Sequence, residues 1–243
     1  MRKIICGILL AIPFFCFGQE AEKDLYNWFD NTIGLENTAI SQGIKYNENF
    51  AIKDNKHSFY KSFEYVKGSI KYNGNLYNSV YFKYDLFSEE IIILLEGKQK
   101  SRITIQLFKK SIDNFTINNI RFVKVLREND KLNQDIEFYE EAYKSNFIKL
   151  LIKHSKSRKE ILYKRRIFFE YTKKKNTYLV FFNNEYIKIS SKKSILKTFP
   201  KQKSYILSFF EKNKLLRKKD FDRFLTNLMK VLSDNMSKNK TLI

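Results

Sequence analysis

The chain reads as an α+β protein that is mostly β: an antiparallel meander sheet or partly closed barrel followed by C-terminal helices. Three observations predict this. Alternating or wholly apolar runs recur about every 8–15 residues between turn signals from Phe59 to Ile189. Asn73-Gly74 stands between two such runs, and Asn-Gly is a strong short hairpin signal because both central residues of a type I′ turn need positive φ. Beyond Ser190 the apolar period lengthens from two to 3.6, the period of a helix.

Taken in order, Met1–Gly18 reads as a targeting segment. Arg2 and Lys3 make a positive start, and Ile4–Phe17 is an apolar run too short for a comfortable membrane span. Small residues at Cys16 and Gly18 suit cleavage before Gln19. The rival reading, a lipoprotein acylated at Cys16, fits poorly because Phe15 stands where a small residue is wanted. Residues 1–18 are therefore expected to be a signal peptide, 19–190 a β domain with an N-terminal helix, and 191–243 a helical segment packed on the sheet. No later stretch is apolar for long enough to cross a membrane as a helix. Both cysteines, Cys6 and Cys16, lie in the leader, so disulfides and cysteine chemistry are excluded from the cleaved chain.

Glu20–Phe29 is expected to form a short helix carrying Leu25, Trp28 and Phe29. Asn31–Lys56 is expected to lie irregularly over the sheet, pinned by Tyr46 and Phe50. Phe59–Val66 is the expected first strand, and Gly68 marks a bulge or a close backbone approach. Gly68–Leu107 supplies four strands: one through Tyr72, one with Val80, Phe82, Tyr84 and Leu86 alternating, the apolar run Ile91–Leu95, and one with Ile103, Ile105 and Leu107. Further strands are predicted at Phe115–Ile117, Ile120–Leu126, Ile136–Tyr143, Phe147–Lys153, Ile167–Tyr171, Tyr178–Phe182 and Tyr186–Ile189. Lys156–Arg166, basic and poor in apolar residues, is expected to be a mobile loop. Ser190 or Ser191 caps a helix that Pro200 ends, Lys203–Asn213 is a second helix, and Phe221, Phe224, Leu225, Leu228, Met229 and Leu232 form the apolar stripe of a third, capped by Asp220 or a neighbour.

Net charge is +20. A basic surface attracts phosphate and other anions. Lys, Asn, Ile, Phe and Tyr are all abundant while Gly and Pro are scarce, which AT-rich coding also produces without selection for a ligand. The two readings separate on whether Lys153, Lys156, Arg158, Lys159, Lys164, Arg165, Arg166 and Lys173–Lys175 converge on one face.

Motifs for chemistry are mostly missing. His57 and His154 have no companion at metal-ligand spacing, and no nucleophile elbow, phosphate loop or dinucleotide fingerprint is present. No catalytic residue, metal site or cofactor is assigned. His154, between Lys153 and Lys156, reads as a solvated surface histidine. Glu137, Glu140 and Glu141 are the densest acidic cluster, with Glu137 and Glu141 on one face of a strand. Asp85 is explained by turn hydrogen bonding.

The succession Gly68-x-Ile70-x-Tyr72-Asn73-Gly74-x-x-Tyr77-x-x-Val80-x-x-x-Tyr84-Asp85, the later Phe138–Tyr143, the helix start Lys192-Lys193-Ser194-Ile195-Leu196 and the leader end Cys16-Phe17-Gly18-Gln19 together resemble a group of exported proteins common in Bacteroidota-type bacteria. The resemblance implies location and fold, and carries no activity.

Two functional readings follow. One is a non-catalytic binding or adaptor protein of the bacterial envelope, periplasmic or secreted, whose partner is an envelope protein or an anionic polymer. Its candidate binding residues are Tyr72, Tyr77 and Tyr81, beside Tyr84, Lys71 and Lys83, on an aromatic sheet face, and Arg158, Arg165 and Arg166 on basic loops. The other is a carbohydrate-active hydrolase, which needs two carboxylates facing each other at roughly 5–10 Å. Nucleic acid is not expected as a partner.

Overall fold

The computed structural model describes residues 33–47, 51–96, 101–130 and 133–240. The leader, its cleavage site, the helix expected at Glu20–Phe29 with Trp28, and Phe50 lie outside these residues.

Among the described residues thirteen strands follow one another: β1 (Gly43–Lys45), β2 (Val66–Tyr72), β3 (Asn75–Asp85), β4 (Glu90–Glu96), β5 (Arg102–Leu107), β6 (Ile112–Ile117) and β7 (Ile120–Asp130). Then come β8 (Asn133–Lys144), β9 (Lys149–Lys153), β10 (Lys156–Tyr163), β11 (Arg166–Lys173), β12 (Thr177–Phe182) and β13 (Glu185–Ile189). Eleven make one sheet in the order β1-β5-β4-β3-β2-β6-β7-β8-β9-β12-β13, and β10 and β11 make a separate two-stranded sheet. Every ladder is antiparallel. The four strands expected between Gly68 and Leu107 are β2 to β5, and Asn73 and Gly74 take φ 49° and 79° at the β2–β3 turn. Gly68 sits at a register shift, and a Cβ there would fall 2.2 Å from the Thr116 carbonyl oxygen.

The sheet is not a simple meander. After β5 the chain returns to the free edge of β2 and lays β6 there. Four ladder steps separate β5 from β6, about 19 Å on a flat sheet. Only residues 108–111 bridge Leu107 to Ile112, three of them in a 3₁₀ turn. The sheet must therefore curl strongly. The rings agree: Tyr84 on β3 and Phe138 on β8 are 6.2 Å apart although four strand steps lie between them. The curl encloses an aromatic core of Phe82, Tyr84, Phe115, Phe122 and Phe138. No ladder joins β1 to β13, so the sheet stays open.

Four helices close the described chain: α1 (Lys192–Thr198), α2 (Lys203–Lys212), α3 (Lys214–Lys219) and α4 (Phe221–Lys240). Ser191 caps α1 in a capping box with Ser194. Asp220 Oδ1 accepts from the Arg223 N–H at the start of α4. Phe224, Leu225, Leu228, Met229 and Leu232 are fully buried against Leu150, Ile152, Val180 and Ile189 of β9, β12 and β13. The helical segment thus covers one face of the second half of the sheet.

Three expectations need correction. Residues 59–65 are not a strand; the first long strand is β2, and Phe59 makes only an isolated bridge to Asp85. Lys61 there takes φ 55°, which interrupts an extended run. Lys156–Arg166 is not a loop but the first strand and turn of the β10–β11 hairpin, paired from Lys156↔Lys173 to Tyr163↔Arg166. Finally, α3 lies between the two predicted helices.

Candidate functional site

Among the described residues no helix covers the opposite face of β7, β8, β9, β12 and β13. By strand alternation Leu150 and Ile152 turn under the helices, so Lys153 turns the other way. The ladder places Lys153 beside Thr177 and Leu151 beside Leu179. Val125, Tyr139 and Leu151 make a small apolar patch on this face. The base of the β10–β11 hairpin and the β3–β4 turn, with Phe87 and Glu89, rise along one side. Together they form a groove of about 810 Å³.

Its floor holds a charged chain. The Lys153 ammonium pairs with both the Glu89 and the Glu137 carboxylates. Tyr139 donates its hydroxyl to Glu137 at 2.7 Å, and Lys109 reaches the other Glu89 oxygen at 3.0 Å. The side chains of Glu89, Glu137 and Lys153 are only 12–15% exposed, so each depends on the others for solvation.

The rim is cationic. Lys156, Arg158, Lys174 and Lys188 line it beside Phe87 and Tyr186, two rings left 42% and 51% exposed. The Arg158 guanidinium lies over Phe87 (5.1 Å) and Phe169 (4.7 Å), which hold it at the mouth. Lys156 has a second task, donating to the His57 and Phe59 carbonyls at 2.6 and 3.0 Å. Burial pushes its ammonium pKa down despite Asp85 nearby.

The predicted residues divide. Tyr72 and Tyr77 are in the core, and the Tyr72 hydroxyl donates to the Gln42 carbonyl at 2.7 Å. They form no exposed aromatic face. Tyr84 is likewise buried, and Lys83 is covered by Phe59, Phe63 and Tyr65, with ring centroids 4.2–4.7 Å from its ammonium. From Phe82 on, beyond Ser79 where φ is 63° and the β2 pairing slips, β3 is covered on both faces, which simple alternation does not foresee. Tyr81 is exposed, away from the groove residues. Arg158 is in the groove, whereas Arg165 and Arg166 are at the hairpin turn. The basic residues therefore converge in part: Lys153, Lys156, Arg158 and Lys174 line one groove and Lys164–Arg166 stand apart.

The acidic cluster is split too. Glu137 lies in the groove. Glu141 follows four residues along the same face, about 13 Å away at 3.3 Å per residue, beyond the spacing a glycosidase pair uses. Glu140 points to the other face, where its carboxylate lies 2.6 Å from His154 Nε2. His154 is buried against Tyr60 and Phe122, contrary to the solvated position expected of it. Burial, with Glu140 and Asp222 nearby, pushes the Tyr60 hydroxyl pKa well up. Asp85 is where turn chemistry put it, accepting from the Phe87 and Ser88 N–H groups and from the Ser58 hydroxyl.

Sequence reasoning missed Glu89, Tyr139, Tyr186 and Lys188. Lys188 and Tyr186 sit at alternate positions of β13 and were legible as one face, but nothing local distinguishes that face from solvent.

No family model, curated protein or solved structure matches the chain.

Proposed function

We propose that this is an exported, non-catalytic binding protein of the bacterial envelope, and that its groove holds an anionic carbohydrate polymer. The observation that carries this reading is the groove rim, where Arg158, Lys174 and Lys188 surround the exposed rings of Phe87 and Tyr186. Cations select carboxylate or sulfate groups, and a ring face suits the apolar side of a sugar. Arg158 is held over two rings before any ligand arrives, which lowers the entropy lost on binding. The hydrolase reading loses support because the two groove carboxylates, Glu89 and Glu137, are both committed to Lys153.

Titration with polygalacturonate and with dextran sulfate at several salt concentrations tests it. Wild type binds with affinity that falls as salt rises, and Arg158→Ser/Lys188→Ser flattens the slope of log K against log salt by about 1.5, from 0.7–0.9 per lost contact. Equal slopes would refute the groove as the site. Export is tested by the intact mass of the native protein, expected to begin at Gln19; a chain retaining Met1 contradicts it.

A further inference from the structure

Four two-residue hairpin turns among the described residues place both central residues in the left-handed region. Three use Asn73-Gly74, Asn118-Asn119 and Asn183-Asn184, residue types that tolerate it. The fourth, at the β10–β11 tip, uses Lys164 (φ 47°) and Arg165 (φ 61°). Long side chains are strained there. A chain that elsewhere solves this turn with asparagine and glycine keeps two cations at this one.

The tip also exposes apolar surface. Leu162 and Ile167 are directly paired across the hairpin and are 75% and 56% exposed. Tyr163 is half exposed next to them. The base of the hairpin is held by the Ile52↔Phe169 bridge and by Arg158 over Phe87. Three cations, Lys164, Arg165 and Arg166, stand together at the turn, whereas Lys159 is paired across the ladder with Glu170 and the Glu160 carboxylate lies 3.6 Å from Arg158.

We infer that this tip is a docking wedge for an anionic lipid membrane surface. Leu162 and Ile167 enter the headgroup–acyl boundary, Tyr163 lies at the interface, and the cations reach lipid phosphates along their flexible stems. A soluble polyanion would use the cations but gain nothing from the exposed Leu162–Ile167 pair, so the lipid surface is the occupant that fits both features. The inference is independent of the groove, because Arg158 lies about 17 Å down the strand from Tyr163.

The test is sedimentation of the full chain with vesicles of phosphatidylcholine alone and of phosphatidylcholine mixed with phosphatidylglycerol. Wild type is expected to bind the mixed vesicles far better. Lys164→Asn/Arg165→Gly should weaken that binding roughly thirtyfold, taking two cations at the usual strength near an anionic surface. Leu162→Ser/Ile167→Ser should weaken it about tenfold or more. Lys201→Ser, an exposed cation of the helical segment outside both the groove and the hairpin, should leave it unchanged. The other positions are at the exposed tip, so the fold is kept. Equal binding to both vesicle types, or a Leu162→Ser/Ile167→Ser variant that binds like wild type, overturns the inference. So does a cation variant that loses dextran sulfate and vesicles in equal measure while the serine variant loses neither, since the tip is then a polymer site.

Discussion

Changing Lys153 to methionine keeps the length of the side chain and removes the charge that the groove floor is built on. Lys153 stands between Glu89 and Glu137, and all three side chains are 12–15% exposed. Removing one partner of a buried ion pair costs about 3–5 kcal/mol, because the remaining charge has neither water nor a counter-ion. Here two carboxylates lose the same partner, but Glu89 keeps Lys109 at 3.0 Å and Glu137 keeps the Tyr139 hydroxyl at 2.7 Å. We therefore expect the low end, about 3 kcal/mol. Urea unfolding measures it, with an unchanged slope showing that the stability and not the compactness has moved. The triple change Glu89→Gln/Glu137→Gln/Lys153→Met removes the unpaired charges as well, and should return to within about 1 kcal/mol of wild type. A loss below about 1 kcal/mol in Lys153→Met would refute the reasoning. A triple variant as unstable as the single one would do so too.

Other outcomes follow from the same contacts. Leu225 is fully buried between α4 and the sheet, so Leu225→Asp should cost several kcal/mol and lower the melting temperature of the whole fold; an unchanged melting temperature would mean the helices are not integral to it. Lys164→Asn/Arg165→Gly should raise stability by about 1 kcal/mol, since it replaces two strained residues with ones suited to a type I′ turn; a loss on chemical denaturation would show that these side chains support the hairpin. Burial first, then the Lys156 and Lys83 charges, hold the His57 pKa below 6.5. Between 6.5 and that lowered value the unfolded chain binds a proton that the folded chain refuses, so stability falls as pH drops through this window. Comparing unfolding midpoints at about pH 8 and about pH 5, His57→Gln should lose less stability than wild type on acidification.

Much of the fold was legible because local chemistry and tertiary structure agree. Asn73-Gly74, Asn118-Asn119 and Asn183-Asn184 mark their turns outright, and the α4 stripe names the side that is buried. Lys164-Arg165 hid a hairpin because the tip residues are ones that turns avoid, and the exposed strands beside them have no core face to impose alternation. The buried tyrosines misled for a different reason. Tyr72 and Tyr84 alternate just as an exposed aromatic face would, and only the curl of the sheet decides that their rings turn inward. The groove was legible only in fragments. Its charges come from the β3–β4 turn, β8, β9, β10, the β11–β12 turn and β13, brought together by a strand order that no local pattern encodes. Lys153 and Arg158 stood in a basic run, but nothing in that run says that one is locked by two carboxylates and the other held over two rings.

The groove itself can be mapped by acetylating the folded protein with and without polygalacturonate and measuring each lysine by mass spectrometry. Lys174 and Lys188 line the groove, while Lys201 and Lys203 lie on the helical segment away from it. The polymer is expected to protect Lys174 and Lys188 and to leave Lys201 and Lys203 as reactive as before. Protection spread evenly over all four lysines, or confined to the helices, would contradict it and return the positive charge to a diffuse property of the composition.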